Sequence, residues 1–140
     1  MAATPLQLLA EDAEDLTVIS AALQDAVLKV GDIAFEGVAR RLTFTLNRFR
    51  WEGDRRERVR SALQLGGVLK AEARKVRRDR KEGVLELLVL DFEVGEAPGG
   101  YLTLRFAGGG DLRVQVECID VVLVDVSTPW PTRSAPKHRP

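Results

Sequence analysis

Residues 84–126 carry the plainest hydrophobic pattern of the chain. The stretches VLELLVLDFEV, GYLTLRF and DLRVQV alternate apolar with polar positions, and they are separated by Gly95-Glu96-Ala97-Pro98-Gly99-Gly100 and Gly108-Gly109-Gly110-Asp111. Alternating β-branched runs closed by glycine-rich breaks predict an antiparallel meander. Leu88, Leu90, Phe92 and Val94 share one face, as do Leu102, Leu104 and Phe106, and then Leu112, Val114, Val116 and Cys118. Continuing that last phase would bury Asp120, so a bulge is expected near Cys118-Ile119-Asp120.

Upstream, Leu6 to Leu9 reads as a short edge strand. Asp12-Ala13-Glu14-Asp15 has the form of a helix start, with Asp12 capping free N–H groups and acids at the positive end of the dipole. Leu16, Ile19, Leu23 and Ala26 recur at helical spacing, which predicts a helix from Ala13 to about Gln24. Leu28 and Val30 then point one way, Gly31-Asp32 interrupts, and Ile33 and Phe35 resume a strand. Leu42, Phe44 and Leu46 form an inward face. Phe49 and Trp51 fall on the other phase, so a bulge near Asn47-Arg48 is expected to bring them inside.

Residues 55–65 fit two periods, and the strand reading is preferred from Val59, with Ser61, Leu63 and Leu65 in phase. Gly66-Gly67 allows a bulge or a tight turn. Leu69, Ala71 and Ala73 alternate with Lys70, Glu72 and Arg74, and Lys75 to Lys81 follows as a basic hairpin tip or loop. After Val126 the sequence STPWPTRSAPKHRP has four prolines and predicts an extended tail, poorly ordered unless Trp130 docks on the body or on a partner chain. The expected organisation is one globular domain, 1–126, with a Pro-rich tail, 127–140. The expected fold is α+β, an N-terminal helix on a strongly curved, mainly antiparallel sheet of about seven or eight strands, barrel-like or two-sheet. A pleckstrin-homology-like barrel is the second architecture considered.

Composition narrows the class of protein. Apolar residues make up 45% of the 140, ordinary for a globule that buries a core. The apolar runs Leu87–Leu90 and Val121–Val124 are too short to span a bilayer, and no basic leader precedes an apolar stretch at the N-terminus. A single cysteine, Cys118, excludes an intramolecular disulfide framework. The expected location is the cytoplasm, with no membrane partner. Formal net charge is zero but segregated: residues 1–36 hold one Lys against seven acids, whereas residues 37–83 hold fifteen bases against six acids. Such a distribution either pairs within the fold or presents a basic face.

Candidate chemistry is sparse. The only histidine, His138, lies in the tail. Cys118, on an apolar strand phase, is expected to be a buried hydrophobe. Gly108-Gly109-Gly110 lacks the Lys-Ser/Thr of a phosphate loop and precedes a strand, so it reads as a turn. Asp91 and Glu93, and likewise Arg113, Gln115 and Glu117, form polar rows that fit solvated outer faces. No catalytic residue, metal ligand or cofactor site is expected.

The basic cluster is the strongest functional signal. Arg74, Lys75, Arg77, Arg78, Arg80 and Lys81 have the density needed to contact phosphates, and Arg55, Arg56, Arg58 and Arg60 extend the patch if they lie adjacent in space. No aromatic stacking motif interleaves the bases, and the competing reading is a charged loop that blunts edge pairing. Any nucleic-acid binding is therefore expected to be weak, steeply salt-dependent and carried by 74–81. Trp130 is the other possible binding residue.

Several segments together resemble a bacterial family of unknown function, domain of unknown function 2948. They are LQDAV (Leu23 to Val27), LNRFRWE (Leu46 to Glu52), the GEAPGG turn (Gly95 to Gly100), FAGGGDLRVQVECI (Phe106 to Ile119) and Trp130 with Thr132-Arg133-Ser134. The resemblance covers nearly the whole chain and implies a small single-domain protein, without activity, cofactor or site residues. The function expected is a non-catalytic binding or interaction module whose partner is an unknown protein or a second copy. The alternative is a nucleic-acid or phosphate binder using 74–81, and an enzyme built on sheet carboxylates is the least favoured reading.

Overall fold

The structure is a computed structural model and describes residues 5–133. In chain order it contains β1 (Gln7–Ala10), α1 (Ala13–Ala22), β2 (Ala26–Lys29), β3 (Ile33–Glu36), β4 (Arg41–Phe49), β5 (Glu57–Leu65), β6 (Val68–Arg74), β7 (Val84–Val94), β8 (Gly100–Phe106), β9 (Asp111–Val116), β10 (Val121–Asp125) and β11 (Trp130–Pro131). The fold is α+β, one helix with a mostly antiparallel sheet. Neighbours in the sheet run β1-β10-β5-β4-β2-β7-β8-β9-β6, with β3 on β4 and β11 on β5. Among the described residues the sheet has eleven strands and is not closed, which corrects the expected seven or eight and the barrel. A 3-10 turn at Val30–Asp32 splits the second segment, so β2 joins β7 while β3 joins the start of β4. The two residues of β11 add a further short strand.

The helix forms where the pattern predicts it. Asp12 caps it by accepting the Asp15 N–H at 2.7 Å. Leu16, Ile19 and Leu23 are buried in the core cluster. Helix α1 ends at Ala22, before the predicted Gln24, because Asp25 takes a left-handed φ of 63° that turns the chain into β2. It packs on β1 and β7. The core is mainly Leu and Val with a few aromatic rings, and Phe44, Leu46, Leu63, Leu102, Leu104 and Leu123 are at or below 1% exposure. Each such side chain stabilises the fold by roughly 1.5–3 kcal/mol.

Three register expectations are overturned. No bulge interrupts β4: its pairing with β5 runs unbroken from Leu42↔Leu65 to Phe49↔Arg58. Arg48 therefore keeps the inward phase and is fully buried. Phe49 is buried too, its ring edge-on to Trp51 with centroids 4.6 Å apart. In β7 the register shifts between Leu87 and Val89, so Leu87 takes the core position and Leu88 is expelled. Val94 is also exposed, at the end of the strand. Finally, β9 stops at Val116 and the chain bends at Glu117 and Cys118. Ile119 enters the core in place of Cys118, which is exposed, and Asp120 stays outside.

Candidate functional site: a basic face

The segment 75–83 is not a hairpin tip. It connects β6, which pairs with β9, to β7, which pairs with β2 and β8. The loop is tied at its end by Gly31 N–H to the Lys81 carbonyl, 2.8 Å, and by Val30 N–H to the Gly83 carbonyl, 2.9 Å. An added Cβ on Gly31 would stand 3.0 Å from that Lys81 oxygen, so a glycine suits the approach. These contacts bring Lys81 to a cleft of about 420 Å³ that it shares with Lys29, Asp32, Arg60 and Glu82. Arg60 comes from β5, far away in sequence, so the patch and the β5 arginines meet here.

Arg58 and Arg60 are fixed by Asn47 of β4. Arg60 Nη1 donates to Asn47 Oδ1 at 3.1 Å, and Arg58 Nη1 donates to the Asn47 carbonyl at 3.3 Å. Arg60 also lies 3.6 Å from Asp32, and Lys29 donates to Glu82 at 2.8 Å. The Glu82 hydrogen bond raises the Lys29 pKa above its ordinary value, further favouring the charged form. Across the next strand, Trp130 of β11 stands opposite Arg58. Directly paired residues share a sheet face, so Trp130, Arg58 and Arg60 form a row on one side of β5. Trp130 is 37% exposed. Val126 N–H to the Arg60 carbonyl (2.8 Å), Ser127 Oγ accepting from the Arg60 N–H (3.0 Å) and Thr132 N–H to the Arg56 carbonyl (2.9 Å) hold this end of the chain along β5.

Two of the six predicted bases are neutralised. Arg74 pairs with Asp111 on the far side of β6, and Arg77 lies 3.5 Å from Asp79. Lys75, Arg78, Arg80 and Lys81 make no side-chain ion pair among the described residues, and all four are exposed. Arg55 and Arg56 lie just before β5, away from the cleft lining. His138 and Ser134 lie outside the described residues.

The model of one protein family matches residues 6–138, nearly the whole chain. The chain belongs to the family described as "Protein of unknown function (DUF2948)". No curated protein and no solved structure matches it.

In this DUF2948 protein the polar rows singled out in the sequence become one surface. Register aligns Asp91, Thr103, Arg113 and Glu72 across β7, β8, β9 and β6, and beside them Glu93, Tyr101, Gln115 and Lys70. The charges answer one another: Arg105 Nε to Asp91 at 3.0 Å, Lys70 to Glu72 at 2.7 Å, and the Arg113 guanidinium 3.9 Å from the Tyr101 ring centroid. This grid balances itself, whereas the face from Trp130 to Lys81 keeps an excess of positive charge.

The site that sequence reasoning missed is internal. Arg48 uses all five of its N–H donors: Nε and Nη2 to Asp125 (3.0 and 3.0 Å), Nη1 and Nη2 to Glu52 (2.9 and 2.7 Å), and Nη1 to the Phe49 carbonyl (3.3 Å). Asp125 also accepts from Ser61 Oγ at 2.7 Å and from the Leu6 N–H at 2.9 Å. Burial alone would raise the Asp125 pKa, but hydrogen bonds from Arg48, Leu6 and Ser61 outweigh it and hold the carboxyl below its usual value. Every group here is committed to a neighbour, so the network joins β1, β4, β5 and β10 rather than offering a reactive side chain.

Proposed function

We propose that this protein is a non-catalytic binding module of the bacterial cytoplasm that takes single-stranded nucleic acid on the face running from Trp130 through Arg58 and Arg60 to Lys81. One observation carries the reading: residues from β2, β5, the 75–83 loop and β11, distant in sequence, converge on one outer face with net positive charge. Arginines held by Asn47 are preorganised donors for phosphate oxygens. A partly exposed indole beside them offers a π-face for a base, and a basic track with an aromatic platform is the usual means of gripping a single strand. The buried ionisable cluster around Arg48 is saturated by its own hydrogen bonds, which supports a structural role for it. The exposed thiol of Cys118 suits a reducing compartment.

The test uses Trp130 as the reporter. In a Trp51→Phe variant the remaining indole should be quenched on addition of a single-stranded oligonucleotide and should recover when salt is raised. An indole that stays unchanged while the oligonucleotide binds would remove Trp130 from the site. Absence of binding at low salt would overturn the reading and favour a protein partner on the charge grid.

A further inference from the structure

We propose that the open edge of β6 pairs antiparallel with the same edge of a second copy, with Ala71 facing Ala71 on the two-fold axis. This goes beyond nucleic-acid binding and does not rest on it. Strand β6 ends the sheet path and, among the described residues, pairs with β9 alone. After the buried Val68, every one of its residues from Leu69 to Arg74 is exposed.

The backbone has the right parity. Phe106 N–H donates to the Gly110 carbonyl at 2.8 Å, closing the β8–β9 hairpin. Hydrogen-bonded and non-bonded pairs alternate along an antiparallel ladder. Leu112 and Val114 therefore bond to β8, and Asp111, Arg113 and Gln115 bond to β6. Their partners there are Arg74, Glu72 and Lys70. Ala71 and Ala73 consequently direct their N–H and C=O groups to the open side. An antiparallel copy centred on Ala71 satisfies those groups and brings Ala73 opposite Leu69 of the second copy.

Side chains favour this register over the one centred on Glu72. Centred on Ala71, Lys70 meets Glu72 of the second copy and Glu72 meets its Lys70. Centred on Glu72 instead, Glu72 would meet Glu72 and Lys70 would meet Arg74, and like charges placed directly opposite are destabilising. On the other face Ala71, Ala73 and the 48%-exposed Leu69 form an apolar strip, which the same register covers with its own image. An alternation of Lys and Glu on one side with Leu and Ala on the other is thus complementary to itself.

Sedimentation equilibrium of the full chain decides the matter. Wild type should sediment as a dimer of the 15.5 kDa chain. Glu72→Lys places lysines opposite each other and should weaken dimerisation by roughly tenfold or more. Adding Lys70→Glu to that variant reverses both charges and should restore the dimer. Ala71→Pro removes an outward N–H and should give a monomer with unchanged circular dichroism; if it does not fold, the charge-swap series decides alone. A monomeric wild type, a Glu72→Lys variant still fully dimeric, or a double variant that stays monomeric would each overturn the pairing. Oligonucleotide binding by a monomeric protein would leave the basic-face reading standing while this one fell.

Discussion

Arg48 and Asp125 face each other inside the sheet, joined by two hydrogen bonds of 3.0 Å that run from Nε to Oδ1 and from Nη2 to Oδ2. The guanidinium is fully buried and the Asp125 side chain is 3% exposed. A desolvated pair of this kind is sensitive to losing one partner, because the other is left as an uncompensated buried charge. Arg48→Met is expected to lower unfolding free energy by about 3–5 kcal/mol. Arg48→Met with Asp125→Leu should recover much of that loss, since paired apolar replacements are tolerated far better. Urea denaturation of both variants measures the difference, and a double variant as unstable as the sum of the single changes would contradict it.

The same network sets an acid limit. A hydrogen bond from Arg48 leads the depression of the Glu52 pKa, and Asp125 is held low despite its burial. Both carboxyls thus bind protons more weakly in the folded state than in the unfolded chain. Their contribution is complete above the unfolded value, about 4, and is lost as pH falls through the lower folded values. Stability should therefore hold from neutral pH down to about 5 and fall below about 4. Asp125→Asn should be weaker at pH 7 with a shallower acid decline, as measured by thermal melts across pH.

Much of the fold is legible in the sequence, because period-two and period-3.6 patterns report directly on which face is buried. Asp12, Leu16 and Ile19 mark the helix, and Leu102, Leu104, Val114 and Val116 mark the meander. The failures lie where the phase was misplaced. Arg48, Ser61 and Asp125 each lie on an inward phase, with Leu46, Leu63 and Leu123 as companions. Placing Phe49 and Trp51 inside through a bulge at Asn47-Arg48 removed Arg48 from the core, although three polar residues in phase on adjacent strands are themselves the signal of a buried network. Leu88 failed because a bulge shifts the phase without any local Gly or Pro to announce it. At Cys118 the expected phase break is present and keeps Asp120 outside, but it falls earlier, at the end of β9, and so exposes Cys118. At the candidate site, the density of 74–81 was visible. The convergence of Arg60 with Lys81 and of Trp130 with Arg58 depends on strand order, which a single sequence does not specify.

Cys118 gives a direct check on that phase change. Exposed at the bend after β9, it should react with a thiol reagent in native protein nearly as fast as in denatured protein. Strong protection under native conditions would restore the buried strand position.

Gly100 should tolerate no side chain. A Cβ there would lie against the Glu93 carbonyl oxygen and 2.7 Å from the Phe92 ring. Gly100→Ala is expected to cost about 1–3 kcal/mol, read as a lowered melting temperature.

The salt dependence of oligonucleotide binding, followed by fluorescence anisotropy for wild type and for an Arg60→Gln, Lys81→Gln variant, tests the basic face most directly. Phosphate contacts release counterions, so the logarithm of the binding constant should fall linearly with that of salt concentration. Losing two contacts should reduce that slope by roughly one for each. A wild type that binds with the same slope as the variant, or that does not bind at low salt, would contradict a nucleic-acid site at Arg60 and Lys81.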